Sequence, residues 1–285
     1  MFARRILIAS LLIAAVLSMS FSAQTAHAQA TPAGTCTSAD YASPINYIAK
    51  ILQSASYSKP DSVGNAIIAL ISTRYQYEDA VPPAGCEAVQ AAALQYLTIE
   101  EDSLYTTEAA KVDTANKDGY NDIATNLAPP RYKTITAALN GSLGNITVAD
   151  AATMPAVPTG AAPAAAPQPC ADPAFASSVK ADTDTMNGGP SDIGIKAIKL
   201  RYKYEDATAP AGCEDSRKTL IQLFAITEDY GALMVMAQVD TANAATYTDF
   251  LSKTVGARAT TLSATAKSVF PALAGTPAAT AAASS

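Results

Sequence analysis

The sequence predicts an all-α protein, a tandem duplication of one disulfide-stapled helical unit of about four to five helices. An Ala/Pro-rich linker joins the two copies. Three observations carry this expectation. Apolar residues recur at four-residue spacing, the period of one helix face. A segment recurs in register, since 23 of the 49 residues from Arg74 to Asp122 are identical to those 127 positions later. The four cysteines divide two to each copy once the N-terminal segment is set aside.

The N-terminal segment has the three parts of a secretory signal. Arg4 and Arg5 precede an apolar run from Ile6 to Leu17, and Ala26-His27-Ala28 places small residues at the cleavage positions. A signal peptide over residues 1–28 is expected, with the mature chain starting near Gln29. The apolar run is shorter than the roughly 20 residues a membrane span needs. Cleavage removes two of 19 basic residues and none of the 25 acidic ones, leaving a net charge of −8. That balance argues against nucleic acid or anionic lipid as partners, because phosphate neutralisation supplies affinity for both. Cleavage also removes His27, the sole histidine, from a chain without Trp.

The first unit is expected over 36–145 and the second over 170–273. Between them, 146–169 reads as a linker, densest in Ala and Pro from Thr153 to Gln168. The tail at 274–285 is small and polar and is expected to be disordered. Val63, Ile67, Ile71 and Tyr75 form one helical stripe, and Ile195, Ile198 and Tyr202 form its counterpart. Proline and glycine then turn the chain at Ala80–Gly85 and Ala207–Gly212. Long helices should follow from Cys86 to about Val112 and from Cys213 to about Val239. Asp113-Thr114 and Asp240-Thr241 are read as the next N-caps, and Pro129-Pro130 as the start of the first unit's last helix.

Four cysteines allow three pairings. The duplication favours Cys36–Cys86 and Cys170–Cys213, one staple per unit, each worth up to about 4 kcal/mol by loop closure. Such staples suit an oxidising compartment.

The absence of histidine from the mature chain removes the Ser-His-Asp and Cys-His constellations, and oxidised cysteines remove the usual zinc ligand sets. No catalytic residue, metal or cofactor is assigned. Asn116-Lys117-Asp118-Gly119 and Asp182-Thr183-Asp184 alternate oxygen ligands, but neither completes an EF-hand loop. The repeated Arg-Tyr-x-Tyr-Glu-Asp segment is the main candidate site. Arg74 and Glu78, like Arg201 and Glu205, are four apart on a helix and can pair. Tyr75, Tyr77, Tyr202 and Tyr204 either pack inward or form an aromatic patch for a sugar or peptide.

Glu101 and Glu228 fall on the apolar stripes of the long helices, behind Leu97 and Phe224. A carboxylate placed there must be paired or protonated. Arg74–Glu101 and Arg201–Glu228 are the expected ion pairs, with acid–base catalysis by a carboxyl of raised pKa as the rival. Asp102 and Asp229, one residue on, are expected to face outward or cap a neighbouring turn. Leu220–Val239 is apolar nearly all round, whereas the first copy carries Thr106, Thr107 and Glu108. The second long helix is therefore expected either at the centre or with apolar surface for a partner or lipid-like ligand.

These features point to an exported protein, periplasmic or secreted, acting as a non-enzymatic binding or structural module of the cell envelope. Its expected partner is an envelope polymer, a protein or a small apolar ligand, with no stable membrane span after cleavage. The alternatives are a carboxylate-dependent hydrolase of envelope glycan and a subunit of a surface assembly.

Overall fold

The computed structural model describes residues 36, 38–55, 59–143, 153–158 and 168–270. The expected signal peptide, the tail and most of the linker lie outside them. The described residues are mostly helical, with no strand among them. Five helices precede the linker: α1 (Ala39–Ser54), α2 (Pro60–Asp79), α3 (Glu87–Val112), α4 (Lys117–Asp122) and α5 (Ala128–Leu143). Five follow it: α6 (Pro173–Asp184), α7 (Pro190–Asp206), α8 (Glu214–Val239), α9 (Ala244–Phe250) and α10 (Gly256–Val269). We call these sets the N-terminal and C-terminal halves.

Local chemistry sets the boundaries. Ser38 caps α1 by accepting from the Tyr41 N–H at 3.3 Å, and Asp172 caps α6 by accepting from Phe175 at 2.7 Å. Proline opens α2, α6 and α7, where the missing N–H has no partner to lose. The turns into the long helices are alike. Gly85 and Gly212 adopt φ of 84° and 78°, a region a Cβ disfavours. Cys86 and Cys213 then donate to Pro83 and Pro210, both at 2.9 Å. Disulfides join Cys36 to Cys86 and Cys170 to Cys213.

Asp113 and Asp240 stand at the expected junctions and serve both sides. Each ends a long helix, its N–H bonding back to Ala109 or Met236 at 2.8 Å. Asp240 is also the N-cap of the short 3₁₀ turn Thr241–Asn243, whereas α4 is capped at Asn116. Their carboxylates then gather the following turn: Asp113 accepts from Asn116, and Asp240 accepts from Asn243 and the Tyr247 hydroxyl. A π turn, Ile123–Leu127 or Leu251–Val255, precedes the last helix of each half. In the N-terminal half Pro129 and Pro130 lack the N–H groups that would keep the α register across it.

The long helices α3 and α8, 26 residues each, pack on each other at the centre. At the described residues, one apolar core runs through both halves, from Ile48 and Leu70 to Leu233 and Met236. A smaller cluster around Val179, Tyr204, Phe224 and Phe270 serves the C-terminal half alone. Close approach between the halves depends on small residues. A Cβ on Gly64 would sit 1.9 Å from the Tyr247 hydroxyl, and one on Gly231 would sit 2.8 Å from that of Tyr105. The linker is not wholly free, because Val157 is buried and donates its N–H to Gln76 Oε1 at 3.1 Å, laying residues 153–158 along α2.

The apolar surface expected on α8 is used up in packing. The helix is long and apolar enough to cross a membrane, but 61% of its most apolar stretch is enclosed by the protein. Among the described residues Val112 is the one large apolar side chain left exposed.

Candidate functional site

The Arg-Tyr-x-Tyr-Glu-Asp segments end α2 and α7, where each faces the opposite half. Arg74 and Arg201 are each 1% exposed. Both keep the expected contact one turn on, Arg74 Nη1 to Glu78 at 2.8 Å and Arg201 Nη1 to Glu205 at 2.7 Å. Their other contacts reach further. Arg201 donates through Nε to both Glu228 oxygens at 3.0 Å, and through Nη2 to Asp102 of the other half at 2.5 Å. Arg74 donates through Nη2 to Asp229 of the other half, while Glu101 stands off at 3.7 Å.

Asp102 and Asp229 are therefore a correction. Expected to face outward, they are 1% and 0% exposed and receive the cross-half bonds. The Tyr202 hydroxyl donates to Asp102 at 2.6 Å, and the Tyr75 hydroxyl donates to Asp229. The physical reason is direction. Neighbouring helix positions point about 100° apart, so a residue beside the Glu101 stripe faces solvent only if its helix has one packed side. Here α3 and α8 are packed on two.

Two further arginines close the arrangement, and sequence reasoning missed both. Arg131 of α5 donates to Glu205 and Asp206, each at 2.6 Å, and its guanidinium lies 4.2 Å from the Tyr202 ring centre. Arg258 of α10 donates to Glu78 at 2.7 Å and Asp79 at 2.9 Å, and lies 4.4 Å from the Tyr75 ring. The available signal was the spacing, because Arg131 and Arg258 are also 127 residues apart. Gln90 and Arg217 share that offset too. Each bonds the carbonyl at the end of the preceding helix, Tyr77 at 2.6 Å and Tyr204 at 2.9 Å.

The four tyrosines form no surface patch. Tyr75, Tyr77, Tyr202 and Tyr204 are at most 7% exposed. The Tyr77 hydroxyl donates to the Tyr41 carbonyl, and that of Tyr204 donates to Asp182 at 2.5 Å. Asp182, one of the alternating oxygen-bearing residues, is thus committed to Tyr204 and to Lys203 at 2.6 Å. No group of three or more metal-ligating side chains converges among the described residues.

Electrostatics at the α3–α8 crossing are set by burial. Burial disfavours the charge on Arg74 and Arg201, but the acids around each together outweigh it, Asp229, Glu78 and Glu101 at the first and Asp102, Glu205 and Glu228 at the second. Burial pushes the Glu101 and Glu228 carboxyls well above the usual range. Asp229 reinforces this at Glu101, whereas Arg201 opposes it at Glu228. Glu100, half-buried beside them, is pushed up to about 7 by burial, against hydrogen bonds from Tyr132 and Tyr96.

No family model, curated protein or solved structure matches this chain.

A raised carboxyl pKa is suited to general acid catalysis, but a substrate must reach it. Neither of the two best-formed surface clefts is lined by Glu101 or Glu228. One, of about 400 Å³, is bordered by Glu78, Asp79 and Arg258. The other, of about 490 Å³, is bordered by Arg131, Lys199, Lys203 and Asp206. The acids in these clefts are held by basic side chains, Glu78, Asp79 and Asp206 by arginines and Asp122 by Lys199, so the geometry offers ion-pair locks rather than an acid–base pair facing open space.

Proposed function

We propose that the protein is an exported, non-enzymatic helical module that binds or supports a component of the cell envelope, built from tandem copies of one unit that interlock. One observation carries the reading. The side chains with catalytic potential, Glu101, Glu228 and the Arg-Tyr-x-Tyr-Glu-Asp residues, are buried around Arg74 and Arg201, which each pair within their own half and reach an aspartate of the other. Removal of histidine with a cleaved signal leaves little else for acid–base or nucleophilic work. The duplication is supported by contact equivalence, because residues 127 apart make matching bonds from Arg74 and Arg201 through to Arg131 and Arg258. Export is supported by the signal-like N-terminus and by two disulfides, which persist in oxidising compartments. The partner would engage the polar outer surface, since little apolar surface remains exposed among the described residues.

The test is native mass spectrometry of the unreduced protein from its own host. The expected mass lacks residues 1–28 and four hydrogens, and any retained mass identifies the envelope component. A chain that keeps residues 1–28 overturns export. Turnover of envelope glycan that vanishes in Glu101→Gln or Glu228→Gln, with the fold intact, overturns the non-enzymatic reading.

A further inference from the structure

The crossing of α3 and α8 holds more buried acids than bases. Glu78, Glu101, Asp102, Glu205, Glu228 and Asp229 each have a side chain no more than 5% exposed. Facing them are Arg74 and Arg201 inside, and Arg131 and Arg258 toward the rim. Fully ionised, the six acids exceed the four bases, and buried unpaired charge is not tolerated.

The geometry shows where the imbalance is relieved. Glu228 lies square on Arg201, with both oxygens at 3.0 Å from Nε. Glu101 has no such partner: its Oε1 is buried without a hydrogen bond, and its Oε2 is 3.7 Å from Arg74. Arg74 is instead spent on Glu78 and Asp229. Glu101 and Asp229 both approach the same nitrogen, Arg74 Nη2, which sets the two carboxyl groups side by side. Two carboxyl groups bond to each other only when they share a proton.

We propose that Glu101 is held as a neutral carboxylic acid that donates its proton to Asp229 across the interface, making this contact a proton-dependent latch between the halves. Of the charged groups around Glu101, Asp229 and Glu228 of α8 favour the neutral acid, while Arg74 of α2 opposes it but is already engaged by Glu78 and Asp229. Tyr75 of α2 is bonded to Asp229. Asp102 on its own helix is answered by Arg201 of α7. Arg131 of α5 and Arg258 of α10 are turned to Glu205 and Glu78, and the charges of α4 are solvent-facing beyond the helix end. Losing the proton to solvent places two carboxylates in contact behind a single shared arginine. Burial and Asp229 both push the Glu101 carboxyl up. The latch therefore contributes fully below the ordinary carboxylate range and is lost as pH rises through the raised pKa.

The full chain with its disulfides intact provides the test. Carbon NMR of the Glu101 carboxyl should show it still neutral well above the ordinary carboxylate range, with Tm falling by several degrees from that range upward and levelling off once Glu101 ionises. Glu101→Gln, which keeps a donor to Asp229, should match the wild-type Tm below the ordinary carboxylate range and lack the decline above it. A Glu101 carboxyl that ionises within the ordinary range overturns the proposal. So does a decline in Tm that survives unchanged in a folded Glu101→Gln variant.

Discussion

Arg74 on α2 and Asp229 on α8 are 155 positions apart in sequence, yet they form a fully buried ion pair. That contact and its counterpart, Arg201 with Asp102, mean that neither half satisfies its own charges. Removing one member of such a pair strands the other in a medium that cannot solvate it. Arg74→Ala and Asp229→Ala should each lower stability by about 3–5 kcal/mol in denaturant melts. Asp206→Ala, at the exposed rim, should lower it by no more than about 1 kcal/mol.

Arg131 and Arg258 each combine a forked bond to two acids with stacking on a tyrosine ring. Lysine keeps the charge but has neither the fork nor the flat face. Arg131→Lys and Arg258→Lys should therefore each lower stability, by about 1–2 kcal/mol in denaturant melts. Equal stability for both lysine variants and wild type would mean that charge alone matters at these positions.

Gly64 and Gly141 make a matched pair for helix substitution. Tyr247 is 1% exposed and bonded to Asp240 at 2.7 Å, so its ring cannot yield to a Cβ on Gly64. Gly64→Ala should lower stability by about 1–3 kcal/mol. Nothing lies within 4 Å of a Cβ on Gly141, and Gly141→Ala should raise stability by about 0.5–1 kcal/mol. Thermal melts of the two variants give the comparison directly.

The pH profile should carry a component from Glu100. Its carboxyl is raised from 4.5 to about 7 by burial, so the folded state binds the proton more tightly than the unfolded chain. Stability from this group is complete below the ordinary value, falls as pH rises toward neutrality and is flat above. Glu100→Gln should remove that part of the decline in Tm while leaving the part that depends on Glu101 in place.

Much of this fold is readable from the sequence, because its signals are local or repeated. The stripe through Ile67 and Ile71, the Pro-Gly turns and the long helices to Val112 and Val239 follow from periodicity and breakers. The cysteine pairing follows from the repeat. What was not readable is the facing of the halves. A helical wheel for α3 assigns one buried face, so Asp102 reads as exposed until α7 and α8 are placed against it. For the same reason Arg74 was matched with Glu101 of its own half rather than Asp229. Arg131 was hidden differently, because identity between the halves fades after Asp122 and the repeated arginine stands among unlike neighbours.

The central claim is that the reciprocal arginine–carboxylate pairs make the two halves one cooperative body. Calorimetric unfolding of the unreduced full chain tests it most directly. The account predicts a single transition whose calorimetric and van't Hoff enthalpies agree, and which Asp229→Ala moves as a whole or splits. Two independent transitions in the wild type, with Asp229→Ala shifting one and leaving the other in place, would contradict it.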